Sequence, residues 1–497
     1  MHFDDLIKGI NVNMMDTNGP IDLNITGITC DSRQVKPGFL FAAMIGSNCN
    51  GADFIQQAID LGAIAVLVSK DMKVVNFDAS TALLISDDVR HDYAKLASQF
   101  YEQQPETVVA VTGTNGKSSV AGFIRQIWQS HGLAAASTGT MGIELANVAM
   151  ANDIKTKHPS QLTTPDSVDL HKMLADLKMA GVDHLALEAS SHGLDQSRLD
   201  GVRISTGVFT NLSRDHLDYH GDVASYLDAK LKLFDELIIS GGSAVIDMDD
   251  PFADDFIAAA RGRQLRVLTY GVDGEEVQLL KQQTQGNHQA LILKVFGETM
   301  SCKLPLIGDF QVSNALAALA AVLADGGDPI KSVKAVEKLV TIRGRLELIG
   351  VTKSGAAIYI DYAHTPAALE TVLMTLCDVT VGSVDVVFGC GGDRDTGKRR
   401  SMGEIASRLA NKIYVTDDNP RFENAEIIRA EIMLGCKQAI EIADRLDAIN
   451  QAIQNLSTGD VLLIAGKGHE TGQIVNGTTL PFNDADVVRD VLNKDSS

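Results

Sequence analysis

The sequence predicts an α/β protein of three domains: a small N-terminal α/β domain, a central doubly wound sheet of the P-loop type, and a C-terminal, Rossmann-like doubly wound sheet. Three observations predict it. At 497 residues the chain exceeds one core and fits about three domains of roughly 150 residues. Residues 107–120, TVVAVTGTNGKSSV, run from an apolar stretch through a glycine-spaced turn into a helix. Beyond residue 340, an apolar strand followed by a polar loop recurs as AAIYIDYAHTP, VDVVFGCGGDRDTGKR, IYVTDDNPR and DVLLIAGKGHE, with helical stretches at 366–376 and 402–409. That alternation is the pattern of a parallel sheet. The boundaries follow as 1–88, 89–340 and 341–497.

Composition narrows the function. With 45% hydrophobic and 22% charged residues the chain is ordinary for a globular protein, and no apolar stretch is long enough to span a bilayer. The N-terminus, MHFDDLIKGI, lacks the pattern of a signal peptide, so a cytoplasmic location without stable membrane association is expected. A net charge of −21 argues against nucleic acid and anionic membranes as partners. Anionic ligands would need local clusters such as Arg394, Lys398, Arg399 and Arg400. Six scattered cysteines, Cys30, Cys49, Cys302, Cys377, Cys390 and Cys436, lack the paired spacing of a zinc site or disulfide framework. A monomer is expected.

Taken in order, residues 1–88 hold apolar segments at 25–28, 40–44 and 63–68 with a helical stretch near 54–61. A helix over 89–104, with Leu96, Phe100 and Tyr101 on its apolar side, leads into the central domain. After the strand 108–111, Gly113 and Gly116 permit tight turns, so backbone N–H groups can converge on phosphate oxygens at the next helix N-terminus. Lys117 adds charge and Ser118 offers Mg²⁺ a hydroxyl. Val120, Phe123, Ile124, Ile127 and Trp128 define the helix face. The general P-loop pattern has glycine where Val111 stands, so this is a shorter variant.

Residues 147–161 are expected to be a mobile polar stretch, followed by Thr163 and Thr164 at the start of a helix over 166–180. The strand 183–190 brings Glu188 to a carboxyl end, where ligands of doubly wound sheets gather, as a hard oxygen ligand for a phosphate-bound metal. A strand over 207–212 is expected to bring His216 to another strand end. Lys230 and Lys232 read equally well as the wet face of a helix. Residues 243–300 predict further strands and a hairpin, including 244–246 and 291–295. TIRGRLELI, 341–349, marks the passage to the third domain.

GTNGKSS resembles the nucleotide loop of the Mur ligase family, amide-bond-forming enzymes of bacterial cell-wall synthesis, and the resemblance extends over nearly the whole chain. TCDSRQVKPGFLFAAMIGSNCNGADFIQQAIDLGA, SSHGLDQSRLDG, NLSRDHLDYHG, SYLDAKLKLF, GDFQVSNALAALAAVLADG, DNPR and GKGHE carry it, in family order. The resemblance implies ATP-dependent joining of an amine to a substrate carboxylate through an acyl phosphate, with ADP and phosphate released, in peptidoglycan synthesis. It implies that Gly113, Thr114, Asn115, Gly116, Lys117, Ser118, Ser119, Asn314, Arg345 and Asp361 hold ATP. Cys30, Ser32, Ser47, Asn48, Cys49, Thr163, Thr164, Ser190, Gln196 and Arg198 would meet UDP-N-acetylmuramoyl-L-Ala-D-Glu.

The resemblance further makes Lys117, Glu188, His216 and Lys230 the catalytic group. Ser118, Glu188, His216 and Lys230 would ligate Mg²⁺, the last as N6-carboxylysine, a carbamate formed from CO₂. A free ammonium beside the ion would instead repel it. For the amino acid, the resemblance implies meso-diaminopimelate, held by Arg394, Asp418, Asn419, Pro420, Arg421, Gly466 and Glu470. Arg421 would grip the distal carboxylate that lysine lacks, for which a planar guanidinium is suited, and Glu470 would pair an ammonium. Gly193 stands where alanine is usual, an exchange expected to be harmless. Gln311 and Arg343 also depart from the pattern, and His364 has no clear role. Rival readings are a lysine-adding ligase of the same family, a folate polyglutamate ligase, and a binding module that uses ATP as a switch.

Overall fold

The structure, a computed structural model, describes residues 1–14, 23–46, 49–72, 81–146, 148–158 and 162–496. Its contacts divide it into two units, Met1–Tyr270 with Ala317–Asp328, and Gly271–Leu316 with Pro329–Ser497. Three α/β domains run through them, as expected.

The first unit begins with a five-stranded sheet in the order Val12–Met14, Ala82–Ser86, Ala63–Ser69, Phe39–Ala42 and Gly27–Thr29, parallel except for its first edge strand. Leu40, Ala65, Leu67 and Leu84 on one face bury against Val89, Tyr93 and Leu96 of the helix Val89–Tyr101. Asp88 caps that helix by accepting from the N–H groups of Arg90 and His91. The helix stops at Tyr101, short of the expected 104, because Glu102 turns to φ 53°.

In the central sheet, the strand Thr107–Thr112 lies between His184–Glu188 and Ile204–Phe209, all parallel. Val111 registers with Glu188 and Thr112 with Phe209, which levels their carboxyl ends. The chain leaves Thr107–Thr112 for Ala135–Thr138 on one side and returns to Ile204–Phe209 on the other, so the glycine turn sits at the switch point of the sheet. The helix Lys117–Ser130 buries Val120, Phe123, Ile124, Ile127 and Trp128, the face its spacing predicts.

Two expectations need correction. The stretch 147–161 carries the helix Val148–Lys157, a run without glycine or proline to break it. The strand expected over 207–212 is Ile204–Phe209, and His216 lies beyond its end, heading the short helix Leu217–His220 at φ 53°. The further strands and the hairpin expected over 243–300 are present: residues 244–246 belong to Ile238–Asp247 in the parallel sheet, and 291–295 to His288–Val295, which pairs with Val277–Gln285 in an antiparallel meander.

That meander, Val277–Gln285, His288–Val295 and Glu298–Leu304, belongs to the second unit. The unit's larger sheet runs Glu347–Val351, Ala357–Asp361, Val461–Ala465, Val384–Phe388, Ile413–Val415 and Ile440–Glu441, parallel except for its first strand. Four of these are the strands of the repeated pattern, and parallel pairing sends their polar loops to one edge. Among the described residues, no helix is long and apolar enough to cross a membrane.

Candidate functional site

In the first unit the glycine turn is drawn tightly against the loop after Ile204–Phe209. The Thr210 hydroxyl donates to the Asn115 carbonyl at 2.7 Å, Asn115 N–H donates to Asn211 Oδ1 at 3.0 Å, and Thr114 N–H donates to the Asn211 carbonyl at 2.8 Å. A Cβ on Gly113 would overlap Thr210 Oγ1, and Gly116 heads the helix at φ 85°. Each glycine therefore has a steric reason.

Two ammonium groups meet on one carbonyl here. Lys117 Nζ donates to the Gly113 carbonyl at 2.8 Å and to that of Thr114 at 2.9 Å, and Lys230 Nζ donates to the Gly113 carbonyl at 2.9 Å. Lys230 is not on a wet face: it is 1% exposed, on the inner side of the helix Val223–Lys232, with Nζ 4.5 Å from the centre of the Tyr226 ring. The Tyr226 hydroxyl is 3.2 Å from Thr114 Oγ1, which joins this helix to the glycine turn. Burial and then the neighbouring Lys117 charge hold the Lys230 amine well below its ordinary value, with Asp215 opposing. The half-exposed His216 is likewise lowered by burial, and its ring lies 6.2 Å from that of Tyr226. Ser118 and Ser119 are buried in the first turn of their helix.

Glu188, 3% exposed, faces the loop after Ala135–Thr138. It accepts from Thr140 N–H at 2.9 Å and from Thr140 Oγ1 at 3.2 Å. Thr140 Oγ1 also lies 3.0 Å from Thr163 Oγ1. Thr164 donates to the Glu188 carbonyl at 2.9 Å and accepts from Ser190 N–H at 3.0 Å, while Arg198 donates to the Thr164 carbonyl at 2.8 Å and to Gln196 Oε1 at 2.6 Å. Glu188, Thr163, Thr164, Ser190, Gln196 and Arg198 thus form one network. Gly193 packs closely within it: a Cβ there would stand 2.7 Å from Thr164 Cβ.

Beside that network is a pocket lined by Met44, Arg90, Tyr93, Leu162, Asp166, Gln196 and Arg198. Cys30 Sγ lies 4.0 Å from Asp166 Oδ2 and the Tyr93 hydroxyl donates to Asp166 Oδ1 at 3.3 Å. Burial raises the Asp166 carboxyl and pushes the Cys30 thiol up to about 12. Ser32 donates to Gln57 Oε1 at 3.0 Å, and Cys49 is exposed. Ser47 and Asn48 lie outside the described residues.

In the second unit, Asn419, Arg421 and Glu470 gather at the loop edge of the sheet. Asn419 Nδ2 donates to Glu470 Oε2 at 2.8 Å, and its Oδ1 accepts from Ile474 N–H at 2.9 Å. Arg421, at φ 53°, is fixed by its N–H to the Ile474 carbonyl at 3.0 Å and by Nη1 to the Gly392 carbonyl at 2.6 Å. Among the described residues its Nε and Nη2 have no partner, and neither has Glu470 Oε1. The buried Pro420 lies between Asn419 and Arg421, and a Cβ on Gly466 would come within 2.5 Å of Asp418 Oδ2. Arg394 is exposed on the 391–398 loop.

Asn314 donates to Gln311 Oε1 at 3.3 Å within its own helix, Asp309–Ala324. Asp361 accepts from Leu346 N–H at 2.7 Å and Ala363 N–H at 2.6 Å, and the Arg345 guanidinium stacks 4.6 Å from the Tyr362 ring. The Arg343 guanidinium donates to the His469 carbonyl at 3.2 Å. Sequence reading missed Thr140 and Lys467, both of which bond directly to predicted site residues. The signal for Thr140 is its place in a glycine-containing loop after an apolar strand, and Lys467 stands within GKGHE, one of the stretches that carry the resemblance.

Comparison with known proteins identifies the family. Residues 24–101 match the Mur ligase family catalytic domain, 111–322 the Mur ligase middle domain, and 344–468 the Mur ligase glutamate ligase domain. The chain is 48% identical over 470 residues, 95% of its length and 94% of the relative's, to the UDP-N-acetylmuramoyl-L-alanyl-D-glutamate–2,6-diaminopimelate ligase of Agrobacterium fabrum. A solved structure of a ligase with that name superposes with a TM-score of 0.71 at 32% identity, over 100% of this chain and 99% of the other. MurF ligase from Thermotoga maritima, solved with ADP, shares the fold at a TM-score of 0.59 and 19% identity over 94% of this chain and 97% of the other. On sequence and fold alike, the chain belongs to the Mur ligase family.

Proposed function

We propose that the protein is an ATP-dependent ligase that joins meso-diaminopimelate to UDP-N-acetylmuramoyl-L-Ala-D-Glu. One observation carries the choice of amino acid. Among the described residues, Arg421 keeps two nitrogens and Glu470 one oxygen without hydrogen-bond partners; Arg421 is bonded directly to Ile474, and Glu470 is linked to it through Asn419. A guanidinium and a carboxylate offered together suit the carboxylate and ammonium of an amino-acid end. L-lysine has no carboxylate at its distal end, diaminopimelate has. The similarity to the A. fabrum ligase supports the same substrates.

In this reading the glycine turn and Lys117 hold the ATP phosphates, and Asn314, Arg345 and Asp361 serve the nucleotide. Asp361 does so through the 345–346 turn, since both its oxygens are taken by backbone N–H groups. The substrate carboxylate attacks the γ-phosphorus and ADP leaves; the amine then attacks the acyl carbon and phosphate leaves. The network of Thr163, Thr164, Ser190, Gln196 and Arg198 orients the muramoyl peptide, and the pocket at Cys30 and Asp166 borders it. The division at 88/89 and 340/341 belongs to the same proposal.

Mg²⁺ would be held by Ser118, Glu188, His216 and Lys230. The residues fit only if Lys230 is carbamylated, because its ammonium beside Lys117 would repel a cation. Burial favours the neutral amine, the form whose nitrogen adds to the carbon of CO₂ and then releases a proton. Bound Mg²⁺ would neutralise phosphate charge. A cytoplasmic monomer is part of the proposal.

The test is phosphate release with ATP, Mg²⁺ and the UDP-linked dipeptide, with meso-diaminopimelate or L-lysine added and products identified by mass. Release that requires diaminopimelate, with formation of the tripeptide, is the expected result. Preference for lysine would overturn the assignment of Arg421, and ATP hydrolysis indifferent to both amines would overturn the ligase.

A further inference from the structure

Behind the amino-acid pocket lies a lysine that the reaction as described leaves unused. Lys467 is 0% exposed, and burying an ammonium is costly unless it is fully bonded. Its Nζ donates to Asn419 Oδ1 at 3.1 Å and to Glu470 Oε2 at 3.0 Å. Asn419 Nδ2 donates to the same Glu470 oxygen at 2.8 Å, closing a triangle of side chains. Gly466 at φ 110° and Gly468 at φ 52° flank the lysine and let the strand end turn it inwards.

A second buried cation nearby makes the contrast. Arg445 is bonded twice to Asp484, at 2.7 and 2.8 Å, and once to the Ala465 carbonyl at 3.0 Å. Its ion pair closes behind the sheet end. The bonds of Lys467 go instead to Asn419 and Glu470, two residues of the proposed amino-acid site.

We propose that Lys467 is a positioning residue for the amino-acid substrate: it occupies Glu470 Oε2 and orients the Asn419 amide, so that Glu470 Oε1 alone is presented to the substrate ammonium. This rests on the reading of the pocket as the amino-acid site. The lysine also offsets the Glu470 charge while the pocket is empty and prevents the carboxylate from swinging. A free Glu470 would still attract an ammonium, but in many orientations.

The experiment measures KM for all three substrates and kcat in the full-length protein, for the parent, Lys467→Met, Lys467→Gln, Glu470→Gln and the Lys467→Met/Glu470→Gln pair. Lys467→Met should raise the amino-acid KM roughly 10- to 100-fold, with kcat and the KM values for ATP and the UDP-linked dipeptide within about threefold. Lys467→Gln, which keeps an N–H donor, should recover part of the loss. The double variant should be no worse than Glu470→Gln alone, since Lys467 acts through Glu470. An unchanged amino-acid KM, a parallel rise in all three KM values, additive losses, or failure of both Lys467 variants to fold would each overturn the proposal. If the parent uses no amino acid, the reading of the pocket fails, a result distinct from any of these.

Discussion

The glycine turn of the first unit and the proposed amino-acid site of the second treat charge in opposite ways. At the turn, two lysines share the Gly113 carbonyl, and burial and mutual repulsion press on Lys230. At the pocket, Lys467 already meets Glu470 and Asn419, and Arg445 already meets Asp484. The first arrangement is unbalanced and gains from an incoming polyanion. The second is nearly neutral and leaves only the atoms that match an amino-acid end. A phosphate-binding site can be organised by its ligand's charge, whereas discrimination between similar amines requires a site fixed beforehand.

The comparison breaks most visibly at Lys230. Lys230→Ala should reduce phosphate release by about 10³-fold in kcat, and Lys230→Arg, which keeps the charge but forms no carbamate, should do little better. Enzyme stripped of CO₂ should regain activity with bicarbonate, and the Arg variant should not. Bicarbonate-independent activity in the parent would remove carbamylation from the mechanism.

The units should also differ with pH. Burial lowers His171 from 6.5 to about 4, with its Nε2 3.0 Å from the Asp200 carbonyl. The unfolded chain therefore binds the extra proton between those values, and the first unit loses stability as pH falls through that window, by on the order of 3 kcal/mol. Asp361 runs the other way: burial lifts it from 3.8 to about 6, so its contribution favours the second unit as pH falls from about 6 towards 3.8. Calorimetry of the parent and His171→Gln between pH 7 and 4 should show the acid sensitivity of the first unit reduced in the variant. Equal sensitivity in both would refute the assignment to His171.

Arg421→Ala should lower kcat/KM for diaminopimelate by about 10²-fold with the ATP KM unchanged, as expected for a lost charge-assisted contact. A smaller effect is expected at Tyr226→Phe, which removes the bond to Thr114 and should cost about 1 kcal/mol, read as a modest rise in the ATP KM. If Tyr226→Phe altered the amino-acid KM instead, the two sites would not be as separable as their charge patterns imply.

The strands and the glycine turn were legible because their signals are local. Five apolar residues at helical spacing placed Lys117–Ser130, and four strand-loop repeats placed the second parallel sheet. What escaped depends on distant contacts. Lys230 and Lys232 are two positions apart on one helix, and only the fold buries the first while leaving the second partly exposed. The grip of Thr140 on Glu188 joins residues 48 positions apart, and that of Lys467 on Asn419 also spans 48. His216 was misplaced because its left-handed turn follows the strand at a distance that no periodicity marks.

The ion pair of Arg445 with Asp484 bears on the order in which the molecule is made. The first unit is complete in the chain by Asp328, but the floor beneath Ala465 cannot close until Asp484 has left the ribosome. At ~5–20 residues per second that is a delay on the order of ten seconds or more. A nascent chain should therefore form its phosphate-binding turn before it can engage an amino acid.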